Sequence, residues 1–202
     1  MTQPTKRYHR ILGIIMLLPL LGWALTGVVF FIKPGYDDAY QPLVIKTYAI
    51  DKSWTIEPEQ QWQDIRLVKT ILGTHLLVTD DGDTKHLAPY TLQAKELPPS
   101  DQLSALIQDA ISVNQARYGN IIQINDNIAT TNTGVQITLD WNRLKLSQRG
   151  QDTDLIDLIY KIHYLQWTPF KAINEIVGFV GLFLLMALTV LGAMLVMKKS
   201  DK

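Results

Sequence analysis

Two long apolar runs without a single charge stand near the ends of the chain, and a mixed, patterned stretch lies between them. The first is ILGIIMLLPLLGWALTGVVFFI, residues 11–32, and the second is IVGFVGLFLLMALTVLGAMLVM, residues 176–197. A helix rises 1.5 Å per residue, so each run spans about 33 Å, enough to cross a hydrocarbon core of about 30 Å with some tilt. Both are read as transmembrane helices. The first run exceeds the roughly 7–15 apolar residues of a cleavable signal peptide, and no small-residue cleavage site ends it. It closes on Lys33-Pro34-Gly35, a helix stop, so it is expected to remain as an anchor. Pro19 inside it is expected to kink the helix.

Between the runs the period changes. In PPSDQLSALIQDAISVNQARYGN, Leu103, Leu106, Ile107, Ala110 and Ile111 recur at helical spacing. Ser100 is placed to cap this helix and Gly119 to end it. Alternation then marks strands. Val135, Ile137, Leu139 and Trp141 point one way, and Leu144 and Leu146 continue across a short turn at Asn142. IIQIN (121–125) is a shorter strand. Upstream, LVIKTYAI, DIRLVKTIL and HLLVTDDGDTKHLA read as further strands, the last folded at Asp81-Gly82. One helix with antiparallel strands is an α+β layer. After it, Leu155, Ile156, Ile159, Ile162 and His163 share one side of an amphipathic, Tyr- and Trp-rich helix. That helix is expected to lie along the membrane–water interface before Thr168-Pro169 starts the second span.

The expected organisation is therefore a tail at 1–10, a span at 11–32, an α+β domain at 33–153, an interfacial helix at 154–167, a second span with its lead-in at 168–197, and a tail at 198–202. Charge orients it. Lys6, Arg7 and Arg10 precede the first span, and Lys198, Lys199 and Lys202 follow the second, so both tails are expected in the cytoplasm. The segment 33–175 holds 13 Lys+Arg against 18 Asp+Glu, a net of −5, and is expected in the periplasm, outside the inner membrane. The whole chain of 202 residues is neutral, which gives no basic face for nucleic acid. It has no cysteine, which excludes disulfides and thiolate metal sites.

Four histidines carry the candidate chemistry. A bis-histidine haem b needs two imidazoles on one iron. His9 precedes the first span and His163 the second, on opposite sides of a bilayer about 30 Å thick, so they cannot share an iron within one chain. A haem would pair His163 with its copy in a dimer or with a partner chain; otherwise both histidines are interfacial polar residues. His75 and His86 flank the Asp81-Gly82 turn. With Leu77 opposite His86 and Thr79 opposite Thr84, the two rings are diagonal neighbours, about 7–8 Å apart. They are expected on a solvated polar face without a third ligand, so no metal site is expected. Asp80-Asp81-Gly82-Asp83 reads as a tight turn rather than a calcium loop. No catalytic spacing of nucleophile, base or paired carboxylates stands out, and the chain is expected not to be an enzyme. Gly22 and Thr26, Gly178 and Gly181, and Thr189 and Gly192 are small residues three or four apart, as at a helix–helix contact.

With these parts in order, the chain resembles the small PepSY-containing transmembrane proteins. The first span opens with His9-Arg10 and Leu12-Gly13 and closes with Thr26-Gly27. The second follows Ile162-His163 and ends in Leu188-Thr189-Val190-Leu191-Gly192. The resemblance covers both spans and the order of the parts. It implies an extracytoplasmic α+β module associated with peptidase inhibition or with sensing and accessory roles. Larger relatives with about four spans resemble ferric-siderophore reductases that bind haem in the membrane; this chain has two. The expected function is a non-catalytic binding or accessory module, without a cofactor, serving another membrane or periplasmic protein or a second copy of itself. The alternatives are a haem-binding electron-transfer subunit linked to iron uptake and a periplasmic peptidase inhibitor.

Overall fold

The computed structural model describes residues 3–200, with side chains from Pro4 to Met197. The side chains of Lys198, Lys199 and Lys202, which bear on the expected orientation of the second tail, lie outside the described residues. The chain divides into two units: residues up to Gly35 together with those from Asp154 onward, and Tyr36–Thr153.

The first unit holds two 30-residue helices, α1 (Gln3–Ile32) and α6 (Lys171–Ser200), each long and apolar enough to cross a membrane. Only 11 % and 6 % of their most apolar windows are buried within the chain, so lipid or another protein must cover the remainder. Helix α1 continues through Pro19. The second helix starts at Lys171 rather than at the expected Thr168-Pro169. Asn174 ties its first turn down: its side chain accepts from the Thr168 amide at 3.0 Å and donates to the Thr168 carbonyl at 2.7 Å. The predicted amphipathic helix is α5 (Gln151–His163), and it ends in a tight turn, with the amide of Gln166 donating to the Lys161 carbonyl at 2.8 Å and Leu165 at φ +55°.

The second unit opens with one helical turn, α2 (Tyr36–Tyr40), and contains two antiparallel sheets. The first is a meander of β1 (Trp62–Thr70), β2 (Gly73–Asp80) and β3 (Asp83–Leu87), with Leu77 opposite His86 and Thr79 opposite Thr84 in the predicted register. The other meander is β4 (Ile121–Asn125), β5 (Ile128–Thr131), β6 (Gln136–Asp140) and β7 (Lys145–Arg149). Its inner face carries Ala129, Ile137, Leu139 and Leu146 against α3 (Ser100–Ile111), whose stripe Leu103, Leu106, Ile107, Ala110 and Ile111 is fully buried. A smaller core of Leu76, Val78 and Leu87 lies on the other face of β2 and β3, covered by Ile56, Trp62, Leu67 and Leu92.

Three expectations give way. LVIKTYAI is not a strand. Leu43 and Ile45 do point into the main core, but the segment joins a ladder at only one bridge, Tyr48 to Lys69. Side chains hold it instead: Lys46 donates to Ser112 Oγ and the Tyr48 hydroxyl to Asp109. Ser100 does not cap α3; Pro99 holds the cap position and no side chain accepts there. The helix also breaks at Ser112–Asn114, and a further turn, α4 (Gln115–Tyr118), follows, capped by Asn114 and ended by Gly119 at φ +59°.

Candidate functional site

The face of the first sheet expected to be solvated is instead covered. His75 is 0 % exposed and His86 3 %. The turn between β6 and β7 lies over them, bringing Trp141 to ring-centroid distances of 5.6 and 4.4 Å. The alternation of Val135, Ile137, Leu139 and Trp141 points Trp141 inward, and this carries the turn onto the two histidines. The polar expectation failed because β2 is buried on both faces, by the small core on one side and by Trp141 on the other.

With both rings neutral, one arrangement of protons satisfies the bonds that link them to Thr70 and Trp141. The Trp141 carbonyl can only accept, so His86 Nδ1 donates to it at 2.8 Å. A neutral His86 then has an accepting Nε2, filled by His75 Nδ1–H at 2.9 Å. His75 Nε2 in turn accepts from the Thr70 hydroxyl at 2.8 Å, whose oxygen takes the Leu72 amide at 3.1 Å. Lys95 closes the cluster. Its Nζ donates to the Thr74 carbonyl and stands 3.1 Å from His75 Nδ1, its amide donates to the His86 carbonyl, and its own carbonyl accepts the Trp141 indole N–H at 2.7 Å. Burial, with the charges of Lys95 and the neighbouring ring, pushes His75 down to about 3. Burial pushes His86 down to about 4, the Lys95 charge adding to the effect and the bond to Trp141 opposing it. Burial also lowers Lys95. Each of these shifts disfavours a second positive charge in the same small volume.

Trp141 and Lys95 also form part of the wall of an open groove of about 860 Å³, completed by Asp126, Asn127, Asn142 and Lys145 among others. The groove mixes charges of both signs with amide and hydroxyl side chains over the largely buried Trp141, a lining suited to an extended polar ligand such as a peptide segment. A second cleft of about 310 Å³ adjoins the turn, with Arg66, Arg143 and Lys145 beside Asp64, Thr79 and Thr84.

The residues expected in the spans are placed as follows. His163 ends α5 and meets α1: its Nδ1 lies 2.8 Å from Thr26 Oγ1, and its carbonyl accepts the Trp23 indole N–H at 2.7 Å. The Thr26 hydroxyl donates to the Gly22 carbonyl at 2.6 Å, so it accepts from His163, and the imidazole carries its proton on Nδ1. Phe30 and Tyr164 pack edge-on to the ring. His163 also lines a groove of about 390 Å³ whose other walls are almost wholly apolar, including Trp23, Leu165, Gly178, Leu182 and Leu185. His9 lies 17 residues before Thr26 on one helix, about 25 Å away, with its ring against Gly192 and its buried Nδ1 without a partner among the described residues. Gly181 permits close packing, since a methyl there would meet Leu165 at 3.0 Å and Trp23 at 3.6 Å. A methyl at Gly22 would reach Ile162 only at 3.8 Å, and one at Gly178 would meet nothing within 4 Å. Thr189 is exposed and donates to the Leu185 carbonyl of its own helix. Gly13, named in the sequence only for the Leu12-Gly13 pair and not as a packing residue, faces Leu188. Among the described residues no three His, Cys, Asp or Glu side chains gather as metal ligands.

Sequence reasoning brought His75 and His86 together but missed Lys95 and Trp141 as their partners. The available signal was Trp141 at the inward end of a strictly alternating strand, where a large side chain must cover something.

No curated protein and no solved structure matches the chain. The family described as the PepSY-associated TM region matches residues 3–199, which includes both apolar helices and everything between them. On that match, the chain belongs to the PepSY-associated TM region family.

Proposed function

We propose that the chain is a non-catalytic recognition module of the inner membrane. In this reading both termini are cytoplasmic, the Tyr36–Thr153 unit is periplasmic, and the protein is an accessory to a membrane or periplasmic partner. The observation that carries the reading is the 860 Å³ groove: Trp141, largely buried and held by a buried polar network, fixes part of its wall, and side chains of both charges line the rest. A photo-crosslinking residue in place of Asn142, on the groove wall, tests it in intact cells with the full chain. One discrete adduct that a bulky substitution at Ser147, across the same groove, abolishes is expected. Turnover of a ferric chelate by the homogeneous protein would overturn the non-catalytic reading.

A second reading, haem ligation at His163, has one specific observation behind it. Thr26 takes the Nδ1 proton, so Nε2 keeps the lone pair a metal ligand needs. This chain supplies one such imidazole only, since His9 stands about 25 Å away, and the other would come from a second copy or a partner. Absorption spectra of the full-length protein from haem-replete cells, oxidised and dithionite-reduced, separate the two. The first reading expects a featureless visible region. A Soret band lost in His163→Ala would establish the second.

A further inference from the structure

Among the described residues no strand ladder connects the two sheets; the β6–β7 turn reaches the first sheet through the bond from His86 to the Trp141 carbonyl, through the packing of the rings, and through Lys95, whose carbonyl takes the Trp141 indole N–H and whose amide donates to the His86 carbonyl. The chain of bonds from Thr70 through His75 and His86 to Trp141 runs in one direction and uses all four ring nitrogens. A further proton can keep these bonds only by charging His86, whose Nε2–H would then donate to His75 Nδ1 while the His75 proton turns to Nε2 and the Thr70 hydroxyl; on either ring it places a second cation in a buried volume that already holds Lys95 Nζ, 3.1 Å from His75 Nδ1.

We propose that the His75–His86 pair is an acid-released latch that ties the β6–β7 turn to the first sheet and so holds the Trp141 wall of the groove in place. The proposal rests on the reading of that groove as the recognition surface, and makes recognition weaken in acid. The charges facing the pair favour release. Lys95 faces it from the segment after β3. Arg66 of β1, Arg143 of the turn and Lys145 at the start of β7 line the cleft further along the same face together with Asp64, and Arg143 is paired with Asp140 at 3.1 Å. Among the described residues no carboxylate contributes to the shift of either ring. An opened junction returns the rings to water and to their ordinary value of about 6.5. Because the folded values lie below that, the closed state is fully favoured above about pH 6.5. It loses ground as pH falls towards 4, by up to about tenfold per unit for each ring.

Hydrogen exchange of the full-length protein in mild detergent, at pH 7.5 and 4.5 and corrected for the intrinsic rate, tests the latch. Protection in peptides covering residues 86–95 and 140–146 is expected to fall by on the order of 10³–10⁴, while α3 keeps its protection. Equal protection at both pH values would overturn the proposal, and so would a fall that α3 shares, which would mean that the whole unit unfolds. His86→Asn keeps a donor for the Trp141 carbonyl and removes one titration, so the fall should shrink to about 10². Lys95→Met leaves both rings but removes the nearest charge; their folded values rise and the fall should become several-fold smaller, whereas an unchanged or larger fall counts against the latch. Exchange needs no ligand. A failed crosslink at Asn142 with a pH-dependent junction would therefore sink the recognition reading alone, and a crosslink with a pH-independent junction would sink the latch alone.

Discussion

Gly119 ends α4 at φ +59° and ψ −131°, a conformation that only glycine adopts without strain. Space forbids a side chain there as well: a methyl would lie 2.0 Å from Asn132 Oδ1, the atom that accepts the Asn120 amide. Gly119→Ala is expected to cost at least about 2 kcal/mol, read as a lower thermal midpoint of the detergent-solubilised protein; an unchanged midpoint contradicts the packing described. The sequence showed Gly119 as a helix end because glycine there has a local reason. The His75–Trp141 contact had none. The Asp81-Gly82 turn set which residues stand opposite one another across β2 and β3, and that much was legible. Whether the polar side of the hairpin meets water depends on a turn some sixty residues further on. Period-2 alternation reports that a strand has two faces, not what covers each of them.

At the scale of elements, α5 meets α1 through two hydrogen bonds from opposite sides of His163, the Trp23 indole to its carbonyl and its imidazole to Thr26. The second bond sets the tautomer. Thr26→Val should release it, so that nitrogen-15 spectra of the labelled protein show the His163 proton moving from Nδ1 towards Nε2; an unchanged pattern would mean that Thr26 is not the acceptor. The span helices were legible from length and lack of charge alone. Their contact was not, because small residues at spacing three or four mark where helices can approach and not which of them do. Thus Gly181 is packed while Gly178, three residues earlier, borders an open groove. In the Tyr36–Thr153 unit the same limit appears twice. Leu43 and Ile45 alternate as in a strand yet find no continuous ladder, and β5, IATT, went unread because four residues rich in threonine carry too little pattern.

For the whole molecule, the lack of cysteine makes placement across the membrane directly measurable. With Asn142→Cys, a membrane-impermeant maleimide should label intact spheroplasts, whereas Thr5→Cys should react only after permeabilisation. The reverse result would invert the proposed orientation. The order of the strands has a further consequence, for the time course of synthesis. Every strand in both sheets pairs only with its neighbours in sequence, β1-β2-β3 and β4-β5-β6-β7. Contacts this local close short loops first, so each meander can form as soon as its own residues are free, without waiting for the other. The histidine–tryptophan junction spans 55 residues between His86 and Trp141 and belongs at the end of that sequence. The first sheet would therefore exist for a time with its histidine face open to water, and the wall of the groove would be the last part of the unit to be set.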